Sequence, residues 1–158
     1  MKKVSVLFVA LVLVATAGVN AQSYKTGIGA KFYSGSWYGS VGGINIKHST
    51  SSNTALEGSL LFFSGGVGVE GLYEYQGPIN NAPGLMYFVG GGGLLGFGNG
   101  RRDKHDDTNF ALRLTGGLDY KFADAPIAVS LGLDPFFNLT PSTGSHLALG
   151  IGIRYVLK

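Results

Sequence analysis

The sequence contains no cysteine, so no disulfide bond holds the folded chain together. A chain without disulfides has to be stabilised by a buried core or by the closure of a β-sheet. Beyond residue 21 the sequence also lacks a continuous apolar run of the roughly 20 residues that a membrane-spanning helix needs. If the chain lies in a membrane, it therefore has to cross it as a β-barrel.

A large excess of charge of one sign is also missing. Twelve Lys and Arg residues stand against nine Asp and Glu residues, and Lys2 and Lys3 account for two of the three excess positive charges. Both lysines precede a mostly apolar stretch, Val4 to Val14, and Val19-Asn20-Ala21 fits a cleavage site before Gln22. This is the pattern of a secretory signal rather than of an N-terminal transmembrane anchor. We therefore expect a signal peptide over residues 1–21 and one exported domain over 22–158. The near-neutral remainder excludes nucleic acid as an expected partner.

The clearest pattern in the sequence is an alternation of apolar with small or charged residues over 146–157. Its apolar members are Leu147, Leu149, Ile151, Ile153, Tyr155 and Leu157. Because side chains alternate between the two faces of a β-strand, the segment is predicted to be a strand with one apolar face. It is also long enough to cross a bilayer as a tilted strand, which takes roughly 9–11 residues.

Seven further segments are candidate strands, six of them with an apolar face at a period of two, and none has a helical period. The eight predicted strands are 24–33, 37–48, 55–63, 67–76, 85–97, 108–122, 127–134 and 146–157. The fifth is apolar or glycine on both faces, so its register is not predicted. Glycine contributes 27 of 158 residues, and it lets a narrow sheet bend sharply and leaves room inside it. We predict an all-β fold, a closed antiparallel up-and-down eight-stranded transmembrane β-barrel.

Charged residues of the predicted strands lie on the small, glycine-rich face and leave the apolar face free of charge. We expect an interior charge network of Lys31, Glu57, Glu70, Glu74, Arg113, Asp119, Lys121, Asp134 and Arg154, and Lys25 and Lys47 share that face. Buried charges have to be paired, so the network is predicted to plug the interior; a proton or ion path is the alternative.

The direction of the apolar face separates two kinds of barrel. A secreted, soluble, lipocalin-like barrel with an apolar ligand inside would turn this face inward, whereas a membrane barrel turns it to lipid. The glycine-rich charged face favours the membrane, and so do tyrosines near the strand ends, as in interfacial girdles. These tyrosines are Tyr38, Tyr73, Tyr75, Tyr120 and Tyr155.

The last strand, with Leu149-Gly150-Ile151-Gly152-Ile153-Arg154-Tyr155, resembles those of the small outer-membrane β-barrel proteins of Gram-negative bacteria, the OmpA/OmpX-type barrels. Residues 117–122, followed by 125–127 and 131–133, look most like uncharacterised outer-membrane β-barrel proteins of the Bacteroidetes. The resemblance implies location in the cell outer membrane, both termini in the periplasm and a non-enzymatic structural or surface-interaction role without a cofactor. This chain ends in Val156-Leu157-Lys158 instead of the aromatic residue that the barrel-assembly machinery reads in such proteins.

Two segments are expected to form external loops, 98–107 and 135–145. Arg101, Arg102 and Lys104 in the first are candidate contacts for lipopolysaccharide phosphates through charge-assisted hydrogen bonds. The expected partners are outer-membrane lipid, lipopolysaccharide and the barrel-assembly machinery, with the chain itself a monomer.

Other patterns with possible chemistry are weak. Ser145 and His146 suggest a lipid-modifying enzyme as a third alternative, but neighbours in a strand point to opposite faces and no carboxylate is placed to orient the imidazole. Residues 66–71 and 91–96 fit G-x-G-x-x-G without the strand-to-helix context that dinucleotide binding requires. His105 and its neighbouring aspartates make a weak cation site. No catalytic, cofactor-binding or metal-binding residue is predicted.

Overall fold

The computed structural model describes residues 24–36, 39–99, 106–141 and 143–157. These residues form eight β-strands: β1 (Thr26–Ser36), β2 (Gly39–Ser49), β3 (Thr54–Phe63), β4 (Gly66–Pro78), β5 (Leu85–Asn99), β6 (Asp106–Lys121), β7 (Ile127–Thr140) and β8 (Gly144–Leu157). Within the described ranges there is no helix long and apolar enough to span a membrane.

Each strand pairs antiparallel with the next one in the chain, and β1 pairs with β8 to close the barrel. Thr26 lies opposite Leu157 at this closure, and Ser34 lies opposite Leu149. The predicted closed, antiparallel, up-and-down barrel of eight strands is confirmed. Closure pairs both edges of the sheet, so the barrel can be stable without a disulfide bond.

The seventh strand is longer than predicted. It continues to Thr140, so the predicted loop over 135–145 is wrong and only residues 141–143 separate β7 from β8. Pro135 is tolerated in this strand because the pairing with β6 is interrupted between Leu133 and Phe136. No N–H of Pro135 is needed there for a hydrogen bond to β6. The loop predicted over 98–107 is also shorter, because β5 continues to Asn99 and β6 begins at Asp106. Its central residues lie outside the described ranges.

The two faces of the barrel wall have the reverse of the polarity found in water-soluble proteins. Large apolar side chains point outward, and Leu133 and Ile153 remain 55% and 51% exposed. Charged side chains point inward, where Arg113 and Arg154 are each 1% exposed. The alternation in the sequence is thus an alternation between an apolar exterior and a polar interior.

Glycines in the wall allow neighbouring strands to approach each other closely. A Cβ atom on Gly92 would lie 1.9 Å from the carbonyl oxygen of Gly71 on β4. A Cβ atom on Gly29 would lie 1.9 Å from the carbonyl oxygen of Ile153 on β8. Any other residue at these two positions would force the backbones apart, so the high glycine content has a direct role in the curvature of the barrel.

The barrel has two ends that are closed differently. The terminal end carries Tyr24, Leu157 and the connections that follow β2, β4 and β6; the distal end carries the other four connections. Near the distal end an apolar layer crosses the interior, with Phe63 packed against it. This apolar layer consists of Val41, Leu61, Leu94, Ala111, Phe136 and Ala148. The layer explains why Leu61 and Phe63 interrupt the alternation of β3.

Candidate functional site

Six charged side chains form a cluster in the terminal half of the interior, which we call the terminal group. Its members are Lys31, Lys47, Glu57, Glu74, Asp119 and Arg154. Arg154 bridges two carboxylates, with Nη1 3.1 Å from Glu57 Oε2 and Nη2 2.9 Å from Asp119 Oδ2. The same Nη1 donates to Asn45 Oδ1 at 3.0 Å. One guanidinium therefore ties β8 to β2, β3 and β6 across the barrel.

Two lysines complete the terminal group. Lys47 Nζ lies 2.7 Å from Glu74 Oε2 and 3.2 Å from Asp119 Oδ2. Lys31 pairs with Glu57. The terminal group thus contains three cations and three carboxylates, so its formal charges cancel. Cancellation of this kind is what makes buried charges tolerable in a narrow interior.

A smaller cluster, the distal group, lies next to the apolar layer. Its single cation is Arg113, which pairs with Glu70 and lies 2.6 Å from Asp134 through Nη2. Arg113 Nη1 also donates to the Tyr33 hydroxyl at 2.6 Å, and that hydroxyl donates to Glu70 Oε1 at 3.0 Å. Ser59 Oγ donates to the same carboxylate oxygen at 3.1 Å. One guanidinium here serves two carboxylates.

Aromatic rings surround the distal arginine and connect the two groups. The guanidinium carbon of Arg113 lies 4.3 Å from the ring centre of Tyr33 and 4.1 Å from that of Phe136. Lys31 Nζ, from the terminal group, lies 5.4 Å from the Tyr33 ring centre. These distances are within the range of cation–π attraction. Polar and cation–π contacts consequently run from the terminal group to the distal group, which borders the apolar layer.

Eight of the nine residues in the predicted charge network lie in these two groups, together with Lys47. Lys121 lies apart from them, and among the described residues it joins no ion pair. It lies near the end of β6, where its Nζ donates to the carbonyl oxygens of Phe122 and, at 3.0 Å, Ala125. Lys25 precedes β1 and is exposed.

Two tyrosines of the interior were missing from the predicted network. Tyr33 follows Lys31 by two residues, so the alternation of β1 is a signal that places it on the inward face. Tyr24 precedes β1, and its hydroxyl donates to Asp119 Oδ2 at 2.9 Å and accepts from Arg154 Nε at 3.1 Å. Burial, followed by the charge of Asp119, raises the pKa of the Tyr24 hydroxyl well above its usual range. Tyr24 has the same parity as the outward Ile28, so no pattern in the sequence indicates this contact.

The other candidate sites from the sequence do not form a catalytic or metal-binding arrangement in the described residues. Arg101, Arg102, Lys104 and His105 lie outside the described residues. Ser145 is exposed and His146 is half-buried, as neighbours that point to opposite faces of β8. In the part of the chain that the structure describes, no group of three His, Cys, Asp or Glu residues could hold a metal ion.

Comparison with known proteins identifies a similar fold. No protein-family model matches the chain, and no curated protein matches it significantly. Among solved structures, it is similar to the crystal structure of the N-terminal β-barrel domain of Pseudomonas aeruginosa OprF, with a TM-score of 0.62 and 15% identity. The match covers 84% of this chain and 100% of that domain. At this level of identity the likeness shows the fold alone, a closed barrel of eight strands.

Proposed function

We propose that the chain is a non-enzymatic β-barrel of the cell outer membrane, with a plugged polar interior and a structural or surface-interaction role. The observation that carries the proposal is the polarity of the wall. Residues such as Leu114 and Ile151 are 53% and 41% exposed on an outer face where the large exposed side chains described are apolar, while the charged residues of the two groups are buried inside. An apolar exterior of this extent is costly in water and favourable in lipid.

Aromatic residues on the outer face support a membrane location. Outward tyrosines lie near the terminal end, among them Tyr75, Tyr87 and Tyr155, and all three are exposed. Outward phenylalanines such as Phe62 and Phe97 lie near the distal end. Two aromatic belts separated by aliphatic residues are typical of a barrel that spans both interfaces of a bilayer.

Pairing of the interior charges supports a plug. Each cation of the terminal and distal groups contacts at least one carboxylate. These side chains extend across the interior of the barrel and fill it. An eight-stranded barrel is only wide enough for its own side chains. The apolar layer adds a dry barrier, so a wide pore for solutes is not part of this proposal.

The two alternatives from the sequence fit the geometry less well. A lipocalin-like barrel would use its apolar face to line a ligand cavity, but here the interior carries the ion pairs instead. A lipid-modifying enzyme would need Ser145 and His146 to act together, and they point to opposite faces of β8. We therefore retain the structural role.

Contacts with lipopolysaccharide are the proposed surface role. Arg101, Arg102 and Lys104 belong to the connection between β5 and β6, at the distal end. With both termini in the periplasm, as the outer-membrane resemblance implies, this connection faces outward from the cell. The signal peptide over residues 1–21 and the narrower Bacteroidetes resemblance stay predictions.

Electrophoresis of the membrane fraction tests the proposal. Closed membrane barrels resist dodecyl sulfate until they are heated, so unheated and boiled samples should migrate differently and the protein should require detergent for extraction. A protein that is soluble without detergent and shows no such shift would contradict the membrane proposal. For the surface role, the triple substitution of Arg101, Arg102 and Lys104 by Ala should weaken binding to lipopolysaccharide; unchanged binding would contradict it.

A further inference from the structure

A residue outside the strands, Tyr24, covers the terminal group on the side of the barrel mouth. Tyr24 precedes β1, yet its hydroxyl bonds with both Asp119 and Arg154. Its ring lies over the wall at Gly27, because a Cβ atom added there would be 3.0 Å from the Tyr24 ring. Tyr24 therefore lies between the terminal group and the barrel mouth.

Hydrogen bonds to the main chain hold Tyr24 in this place. Ser49 Oγ donates to the Tyr24 carbonyl oxygen at 2.9 Å, and Gln76 Nε2 donates to Ser49 Oγ at 3.1 Å. The Ser49 N–H donates to the carbonyl oxygen of Lys25 at 2.8 Å. A short segment that is held by a few bonds at the end of a strand opens locally at a much lower free energy than a paired strand does.

The distal end has a closure of a different kind. The apolar layer there is made of side chains from the strands themselves, and Leu61 and Ala148 are each 1% exposed. Opening that layer requires the wall to deform, because its members belong to paired strands of the barrel, as Leu61 opposite Gly43 and Ala148 opposite Asp134 show. Access of water to the interior is therefore expected to be easier at the terminal end.

We propose that Tyr24 is a movable cap on the terminal end of the barrel. Opening of the cap admits water and small ions to the terminal group, while the apolar layer keeps the distal end of the barrel closed. Ser49 and Gln76 act as the strap that holds the cap shut. The proposal rests on the barrel geometry and does not depend on the membrane location.

The absence of cysteine allows a direct test with single-cysteine variants of the folded protein in detergent. Ala128→Cys reports access to the terminal half, because Ala128 is 0% exposed and lies opposite Arg154 in the register. Ala148→Cys in the apolar layer is the matched control, with the same substitution and a similar burial. The measurement is the rate of reaction of each cysteine with a charged methanethiosulfonate reagent, with Tyr24 intact, as Tyr24→Phe and as Tyr24→Ala.

Loss of the cap should raise reactivity at one end only. Tyr24→Ala is expected to raise the rate at Ala128→Cys about tenfold and to leave the rate at Ala148→Cys unchanged. Tyr24→Phe should cause a smaller rise, because the ring remains while both hydroxyl bonds are lost. An unchanged rate at Ala128→Cys, or an equal rise at both cysteines, would overturn the proposal.

A second variant keeps the test decisive if Tyr24→Ala fails to fold, as judged by its circular dichroism spectrum. Ser49→Ala removes the strap bond to the Tyr24 carbonyl and leaves the Tyr24 side chain in place. It should also raise the rate at Ala128→Cys and not at Ala148→Cys. An unchanged rate at Ala128→Cys in this background would again contradict the cap.

Discussion

The two halves of the barrel interior differ in how their charges are balanced. In the terminal group, three cations and three carboxylates share contacts, and Glu57 and Asp119 each touch two cations. In the distal group, Arg113 alone serves Glu70 and Asp134, and aromatic rings replace further cations around it. The terminal half is thus a shared network, whereas the distal half depends on one residue.

The difference shows how a narrow barrel can be filled in two ways. A shared network tolerates the loss of one member, because neighbouring charges remain to pair with the group that is left. A single guanidinium between two carboxylates has no such reserve, and removing it leaves two negative charges in a region of low dielectric constant. The apolar layer next to it needs no partners, but its packing fails if a side chain shrinks.

The largest effect is expected at the distal arginine. Arg113→Ala should lower the free energy of unfolding by about 3–5 kcal/mol, because Glu70 and Asp134 lose their cation while they remain buried. Urea titration of the protein folded in lipid vesicles, followed by circular dichroism, measures the change. Lys121→Ala is the control, since Lys121 bonds only to turn carbonyls in the described structure, and it should cost less than about 1 kcal/mol.

The same titration applied to Arg154→Ala tests whether the two groups respond differently to the loss of an arginine. Lys31 and Lys47 remain in contact with Glu57 and Asp119 after this change. The loss should therefore be smaller than that of Arg113→Ala, although Arg154 is buried as completely. Equal losses would mean that the terminal group does not compensate, and the distinction between the groups would be wrong.

Truncation in the apolar layer should have the next largest effect. Leu61→Ala creates a cavity beside Val41 and Phe136, so we expect a loss of about 2–4 kcal/mol in the same assay. Leu60→Ala is a matched control on the same strand, because Leu60 is 40% exposed on the outer face. It removes the same atoms without leaving a cavity. A loss at Leu60→Ala as large as that at Leu61→Ala would contradict a packed layer.

Close approach of the strands in the wall gives a smaller effect. Gly92 lies opposite Arg113 in the register, and Gly92→Ala should cost about 1–3 kcal/mol because its Cβ would overlap the Gly71 carbonyl. Gly71→Ala is the control, since a Cβ atom there meets no atom within 4 Å, and its effect should stay within about 0.5 kcal/mol. Indistinguishable variants would show that β4 and β5 are farther apart than described.

The smallest effect is expected at the cap. Tyr24→Phe removes the hydroxyl that bonds with Asp119 and Arg154 but leaves the ring, so we expect a loss of about 1 kcal/mol. Tyr155→Phe is the control in the same titration, because the Tyr155 side chain is 58% exposed on the outer face. If Tyr24→Phe proves as stable as the unchanged protein, its two hydrogen bonds contribute nothing to closure.

Much of the fold followed from alternation alone, and the exceptions have physical causes. In β8 the sequence alternates cleanly, so its predicted outward face, including Leu149 and Ile153, is the observed one. In β7 the prediction stopped at Asp134, because Pro135 and Asn138 are usual loop residues. Asn138 is 5% exposed and points inward near the distal end, opposite Ala111 of the apolar layer, so a residue type that is common in loops lies inside a strand here.

The candidate site was only partly predictable for a related reason. Alternation assigns a residue to a face, which is sufficient to collect the charged side chains of both groups. It does not say which charges meet, because contacts such as Arg154 with Glu57 depend on the register between strands that are not neighbours. It also fails for residues outside the strands, as for Tyr24, and for β5, where inward Phe88 and outward Val89 look alike in the sequence.

Labelling from within the lipid bilayer tests whether the apolar face of the barrel meets the membrane. The unchanged protein in a bilayer would be illuminated in the presence of a lipid with a photoreactive carbene precursor on its acyl chain, and labelled residues mapped by mass spectrometry. A wall that faces lipid with its apolar side should be labelled in β8 at Leu149, Ile151 and Ile153 and not at Gly150 or Arg154. Labels on the Gly150 face, or none anywhere in β8, would contradict it.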